Sequence, residues 1–342
     1  MTKRKLSLQQ RRRIAQQRAK HDSAIPELQG LSESKEGEVV AHFGSQALVR
    51  GTQNENPPFQ QRCYLRANLD IATGDRVVWR SGEDVGIVER ALARESVLKR
   101  PDNYGKLRTV AANISQIFIV IAPTPLPHSS LIDRYFVAAT LHKLPARLLI
   151  NKFDLLSESD DAYAPILELE RRYSSLGYAV MRVSAKNRLG FDALQAALNE
   201  QCSIFVGQSG VGKSSLIQTL LPEETLRIGD LSADVAKGKH TTTHAQLFDF
   251  PSGGKCVDSP GIREFGLWHA TPEQVVAGFP EIAHTASECQ FRDCTHSHEP
   301  GCAVQAAIRT GEIDAERFSN LQLILNQLDK VTMQQPMENH FS

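Results

Sequence analysis

The spacing of apolar and polar positions changes character along the chain. From Gly37 to about Lys106 the apolar residues come in short runs, "EVVAHF", "ALVRG", "RCYLR", "DRVVWR" and "DVGIVERAL". Gly, Asn, Pro and Asp punctuate these runs, as expected of strands joined by turns. Five short strands in about seventy residues predict a small barrel of the OB type, whose face commonly binds RNA. An SH3-like barrel would give much the same pattern. From about Thr109 a different alternation begins. "QIFIVIAP" is an unbroken apolar run, "SLIDRYFVAATLHK" has helical spacing, and "ARLLI" is another buried strand. "APILELERRYSSLGY", "AVMRVSA", "GFDALQAAL" and "CSIFVG" continue the series. Such alternation predicts a parallel sheet with helices on both faces, with ligands at the carboxyl ends of its strands. Beyond Thr271 the chain is Cys/His-rich and then helical, in "AVQAAIRTG" and "DAERFSNLQLILNQLDK". There the stripe Phe318, Leu321, Leu325, Leu328 predicts a core or docking face.

The expected organisation is an arm and linker over 1–36, a barrel over 37–106, an α/β domain over 107–270 and a helical domain over 271–342. There are no internal repeats. With 342 residues, 41% hydrophobic and 23% charged, the composition is that of a globular protein of two or three domains. The longest apolar runs are too short to span a bilayer, so no membrane is expected. The chain opens polar and basic, without a secretory pattern, and the expected compartment is the cytoplasm.

Charge adds one asymmetry. The net charge is zero, yet the first twenty residues hold eight Lys or Arg and no acid, leaving 31 basic against 39 acidic residues. A basic arm on an acidic body suits a polyanionic partner, because each neutralised phosphate releases counterions. A solubilising tail or a mitochondrial presequence are the competing readings of the same segment.

"SIFVGQSGVGKSSLIQTLL" reads strand, loop, helix, and its centre matches the phosphate-binding pattern G-x-x-x-x-G-K-[ST]. The candidate loop is Gly207, Gln208, Ser209, Gly210, Val211, Gly212, Lys213, Ser214 and Ser215. Its glycines allow backbone N–H groups to turn toward phosphate oxygens at a helix start. Lys213 is expected to reach the β- and γ-phosphates, and Ser214 to ligate Mg²⁺. "NKFD" (Asn151, Lys152, Phe153, Asp154) ends a strand and predicts the base reader. Asp154 can accept from guanine N1–H and the 2-amino group, which adenine cannot offer. Asn151 is expected to tether neighbouring loops and the Lys152 stem to lie over the base. In "SAK" (Ser184, Ala185, Lys186) the Ala185 amide can contact guanine O6. "DSPG" places Asp258 to hold Mg²⁺ through water and the Gly261 amide near the γ-phosphate. Thr241, Thr242 and Thr243 are each candidates for the switch threonine on Mg²⁺; spacing leaves the choice open, and Thr242 is the one we assign.

NKFD precedes the phosphate loop by more than fifty residues, whereas a conventional GTPase has the reverse order. Parallel sheets tolerate such rewiring, because strand ends set the site in space. The expected fold is therefore a circularly permuted P-loop GTPase domain, between an OB-like barrel and a helical Cys/His domain. In this order, "NKFD", "GQSGVGKSS", "HTTT", "DSPG" and "CQFRDCTHSHEPGC" together resemble the RsgA (YjeQ) family of bacterial ribosome-dependent GTPases, over nearly the whole chain. The resemblance implies a late assembly factor that binds the small ribosomal subunit and its 16S rRNA as a monomer, hydrolyses GTP to GDP there, and leaves.

Six cysteines include three between Cys289 and Cys302, a clustering that favours metal over disulfides in a chain without an export signal. C-x4-C-x-H-x5-C offers Cys289, Cys294, His296 and Cys302 to one structural Zn²⁺, with His298 as a rival nitrogen. The family's ligand pattern favours His296. Cys63, Cys202 and Cys256 lie singly in strand-like runs and are expected in the core. Trp79 and Trp268 are read as packing residues. Finally, the residue after Gly261 is Ile262, where many GTPases carry a water-orienting glutamine. Slow intrinsic hydrolysis is expected, with His240 the best internal candidate for the missing group. A non-catalytic GTP-dependent RNA-binding switch or a stress factor are the alternatives.

Overall fold

The computed structural model describes residues 30–51, 59–66, 69–101, 107–157, 161–221, 245–258, 266–267 and 270–334. The basic arm, most of the linker, His240 to Thr243, Gly261, Ile262 and Trp268 lie outside the described residues. What is described falls into two compact units. One lies within Met1–Ile114, His240–Phe248 and Val257–Gly261, the other within Ser115–Lys239, Asp249–Cys256 and Ile262–Ser342.

The first unit is built on β1 (Lys35–Phe43), β2 (Gln46–Gly51), β3 (Gln60–Leu65), β4 (Arg76–Arg80) and β5 (Gly86–Ala91). They pair in the order β1-β2-β3-β5-β4, and β4 returns to β1 to close the barrel. Only β3 and β5 run parallel. A meander would pair consecutive strands alone, so this closure is that of an OB barrel. Alternate residues point inward and form the core, among them Val39, Val49, Cys63, Val77, Trp79 and Val88. Trp79 and Cys63 are fully buried, which makes them packing residues.

Two features extend this unit past the expected boundary at 106. β6 (Val97–Pro101) and β7 (Leu107–Ala112) form an antiparallel pair, and Thr73 bridges to Ala111. Leu107–Ala112 therefore belongs with the barrel, although its alternation looked like the start of the α/β region. Arg94 pins the same corner: its Nε and Nη2 reach the fully buried Asp75 carboxylate at 2.6 and 2.7 Å. β12 (Gln246–Asp249) also pairs with β1, at Ala41 and Gln246, and Thr73 donates to the Ala245 carbonyl at 2.9 Å.

In the second unit β8 (Gln116–Ile121), β9 (Ala146–Ile150), β10 (Ala179–Arg182), β11 (Cys202–Val206) and the first half of β13 (Lys255–Asp258), through Lys255 and Cys256, form a parallel arrangement, ordered β10-β9-β8-β11-β13. Every residue of β8 is buried, as a central parallel strand requires. The chain winds outward from β8 to β10, then returns to place β11 on the other side of β8. That reversal opens a crevice at the carboxyl ends of the strands. Helices α1 (Ser129–Leu141), α2 (Tyr163–Ser175), α3 (Phe191–Leu198) and α4 (Lys213–Leu220) follow β8 to β11 in turn.

The C-terminal helices α5 (Pro272–Ala277), α6 (Pro280–Ala286), α7 (Ala303–Thr310) and α8 (Ala315–Gln334) join this same unit. A capping box of Thr271 and Gln274, with Pro272 in the first turn, starts α5. On α8, Phe318 and Leu321 are buried and Leu325 is half-buried, which makes the predicted stripe a core face. A buried polar cluster fixes how α8 lies on α1. Asp133 on α1 accepts from Arg317 Nη1 at 2.6 Å, from Tyr173 Oη at 2.5 Å and from Asn320 Nδ2 at 2.7 Å. Burial pushes the Asp133 carboxyl up, against the opposing pull of Arg317, Tyr173 and Asn320. Glu281 takes the other side of the Arg317 guanidinium, which also lies 4.3 Å over the Phe279 ring. No helix among the described residues is long and apolar enough to cross a membrane.

Candidate functional site

Three loops meet at the carboxyl ends of β9, β10 and β11, and the residue that joins them is Asn151. It is 1% exposed. Its Nδ2 donates to the Val211 carbonyl at 2.9 Å, and its Oδ1 accepts from the Ala185 N–H at 3.3 Å. One amide thus links the end of β9 to the glycine-rich loop and to the Ser184–Lys186 turn. The Ala185 N–H, expected toward a base, makes this long bond instead. Lys152 sits in left-handed backbone at φ +57°, and its Nζ donates to the carbonyls of Thr124 and Gly210 at 2.8 and 2.7 Å. Asp154 lies in a single 3₁₀ turn, Phe153–Leu155. Ser184 is fully buried and Lys186 is exposed.

The glycine-rich loop connects β11 to α4 through Gly207, Gly210 and Gly212, all with positive φ. Two of these glycines are required by close approach. A Cβ on Gly207 would sit 2.2 Å from the Val120 carbonyl oxygen, and one on Gly212 would sit 2.4 Å from Asn151 Nδ2. Lys213 is buried and donates to the carbonyls of Gly207 and Gln208 at 2.6 and 2.7 Å. Ser209 and Gly210 stand exposed, Val211 is buried, and Ser214 and Ser215 are exposed on the first turn of α4. Gly212, the N-cap, brings no capping side chain, so the helix start retains its affinity for anions. Asp258, half-buried, is the last residue of β13.

A cavity of about 590 Å³ lies beside this junction, lined by Asn151, Lys152, Asp154, Leu155, Ser184, Ala185, Lys186, Gly212, Ser215, Gln218 and Thr219. It falls within the size range of small-molecule sites. Sequence motifs pointed to most of this lining but missed Leu155, Gln218 and Thr219, and they also missed the Thr124 carbonyl that Lys152 meets outside it. Helical spacing held the signal for two of them, since Gln218 and Thr219 follow Ser215 by three and four positions. Nothing in the local pattern marked Thr124.

The second constellation is the cysteine loop. The ligand atoms of Cys289, Cys294, His296 and Cys302 all lie within 4.8 Å of one another. His296 Nδ1 is 3.6 Å from Cys289 Sγ and 3.5 Å from Cys302 Sγ, and those two sulfurs are 3.9 Å apart. Tetrahedral coordination with metal–sulfur bonds of about 2.3 Å and a metal–nitrogen bond of about 2.0 Å requires separations of about 3.8 and 3.5 Å. The four residues therefore fit a tetrahedral metal ion. His298 is exposed and outside the cluster.

The electrostatics agree. Burial raises the Cys289 thiol, but the backbone N–H groups of Val304 and Ala303, together with hydrogen bonds from Cys294 and Cys302, bring it below its ordinary value. Desolvation and its sulfur neighbours push Cys294 up to about 11, so it does not ionise alongside Cys289 without a cation to compensate the pair. Burial lowers His296, favouring the neutral imidazole that a metal needs. Gln305 Nε2 donates to the His296 carbonyl at 2.6 Å, and Cys302 caps α7 by accepting from the Gln305 N–H.

Comparison with known proteins supplies a relationship. Residues 91–268 match the RsgA GTPase family. The protein of Saccharophagus degradans named small ribosomal subunit biogenesis GTPase RsgA is 49% identical, over 98% of this chain and all of its own length. That of Marinobacter nauticus, with the same name, is 46% identical over 96% of this chain and 97% of its own. Among solved structures, YjeQ from Thermotoga maritima superposes with a TM-score of 0.69 at 32% identity, covering 86% of this chain and 98% of that one. YloQ, described as a circularly permuted GTPase, gives 0.67 at 24% identity over 87% of this chain and 96% of its own, a likeness of fold.

Proposed function

This chain belongs to the RsgA family of GTPases, and from that premise we propose that it acts in late assembly of the small ribosomal subunit, binding the subunit and its 16S rRNA and hydrolysing GTP there. The names of its relatives, as small ribosomal subunit biogenesis GTPases, support the partner. The observation that carries the site assignment is the Asn151 junction, which ties the base-reading segment to both other loops. In this reading Asp154 accepts from guanine N1–H and the 2-amino group, and the Ala185 N–H exchanges its long bond to Asn151 for guanine O6. The Lys152 stem covers the base.

The N–H groups of Gly207 to Ser215 receive the phosphates at the start of α4, and the Lys213 ammonium leaves its carbonyl partners for the β- and γ-phosphates. Ser214, Thr242 and Asp258 would hold Mg²⁺, which neutralises phosphate charge when bound. Gly261 contributes an amide near the γ-phosphate. Ile262 has no group to orient water, so turnover waits on a partner that completes the catalytic geometry, with His240 the best internal candidate for the missing group. The cysteine loop would hold one structural Zn²⁺ through Cys289, Cys294, His296 and Cys302, with no ligand position left for chemistry. The protein works as a monomer in the cytoplasm, and its barrel and basic arm approach rRNA.

The test is phosphate release from GTP with small subunits, with large subunits and with free RNA. Strong stimulation by small subunits alone is expected. Equal rates in all three, matching the protein by itself, would refute the reading in favour of a non-catalytic switch, the alternative that Ile262 supports.

A further inference from the structure

We propose that Arg182 and Glu170 brace the base-reading loop from behind, setting guanine affinity without touching the nucleotide. The inference rests on the assignment of Asn151 to Asp154 as the base reader. Asp154 stands in the one-turn segment Phe153–Leu155, which the chain enters through left-handed backbone at Lys152. Three backbone ties hold that turn: the Phe153 N–H donates to the Val183 carbonyl at 3.1 Å, the Leu155 N–H to the Lys152 carbonyl at 3.0 Å, and the Leu156 N–H to the Phe153 carbonyl at 3.2 Å, none of them made by Asp154. The direction of the Asp154 carboxylate therefore depends on where the neighbouring Phe153 ring is held. Asp154 and Leu155 line the cavity; Phe153 does not.

The Arg182 guanidinium carbon lies 4.7 Å from the centre of the Phe153 ring, within cation–π range. Arg182 is itself held in place. Its Nε is 2.8 and 3.1 Å from the two Glu170 oxygens, and its Nη2 is 2.8 Å from Oε2. Glu170 comes from the middle of α2, Arg182 ends β10, and Phe153 follows β9, so three elements converge on one ring. The planar fork fixes the guanidinium plane, which a flexible ammonium could not do. The Arg182 side chain is 49% exposed, and ion pairs at such exposure add little to folding stability. Orienting the ring is the use that this geometry serves.

The experiment measures GDP and xanthosine diphosphate affinities by calorimetry, with melting temperatures, for the full-length wild type, Arg182→Ala, Phe153→Leu and the double variant. Arg182→Ala should weaken GDP about two- to fivefold and narrow the guanine preference, with the melting temperature unchanged. In the Phe153→Leu background the same substitution should cost nothing further, and Arg182→Lys should restore only part of the loss. A lower melting temperature with unaltered GDP affinity would assign the pair a merely structural role and overturn the proposal. So would an equal loss with or without the Phe153 ring. Asp154→Asn separates the brace from its premise. If it shifts preference to xanthine while Arg182→Ala changes nothing, the brace alone fails. If it leaves guanine preference intact, the base assignment fails and takes the brace with it.

Discussion

The nucleotide junction and the cysteine loop place their polar groups by opposite means. At the junction every functional loop hangs from a strand of the parallel sheet, and Asn151, Gly207 and Gly212 lock the loops together by close approach. The cysteine loop has no helix or strand from Cys289 until Cys302 caps α7. Its shape comes from its own side chains. Glu299 gathers the Thr295, Ser297 and His298 N–H groups at 2.8, 2.9 and 3.1 Å, and also the Thr295 hydroxyl. Those bonds, the Thr295 hydroxyl foremost, hold the Glu299 carboxyl down at about 2. A scaffolded site is sensitive to any atom added at its contacts. A loop closed by ligands is sensitive to losing its ligand set.

That contrast can be broken or sharpened by experiment. The largest effect should come from Lys213→Ala, which removes the charge proposed to meet the transferred phosphate; subunit-stimulated phosphate release should fall by about a thousandfold or more, with the fold unchanged by circular dichroism. Next is Gly212→Ala. The added methyl collides with Asn151 in a backbone conformation that alanine disfavours, so GTP affinity should drop by roughly thirty- to a hundredfold. Metal content should be unaffected, and a Gly212→Ala protein with wild-type GTP affinity would show that the junction is looser than its contacts suggest.

Cys294→Ser or chelation should release a stoichiometric metal and open residues 289–302 to protease, while GTP affinity stays within about twofold. Coupled loss of nucleotide binding would erase the distinction between the two regions. The smallest effect should be that of Glu299→Gln, which keeps every metal ligand but weakens the acceptor for the loop's N–H groups. Modestly faster proteolysis at 289–302 with metal retained is the expected outcome.

Much of this was legible in the chain. Short apolar runs marked the barrel strands, strand-like runs alternating with helical spacing marked β8 to β11, and NKFD, SAK and the glycine-rich loop named the three loops that meet at the junction. The antiparallel pair Val97–Pro101 with Leu107–Ala112 was not legible as part of the barrel unit, because a half-buried strand has the same alternation whatever its partner. Nor was the grouping of the C-terminal helices with the parallel sheet. It depends on Asp133 meeting Arg317 and Asn320, which lie 184 and 187 residues away.

The sequence by itself determined which chemistry the chain carries: a lysine in a glycine-rich turn, an aspartate after a buried strand, and three thiols with a histidine inside fourteen residues. These are local facts, written in residue types and in periods of two and 3.6 that a single segment displays. Tertiary structure alone decided what those groups face. It set the Asn151 amide between Val211 and Ala185, the Lys152 ammonium on Thr124 and Gly210, and the Arg182 fork over Phe153. Each such contact joins residues from about thirty to sixty positions apart, and its formation follows from how strands order themselves in the sheet, an outcome of summed burial across the whole core that no single window of sequence contains.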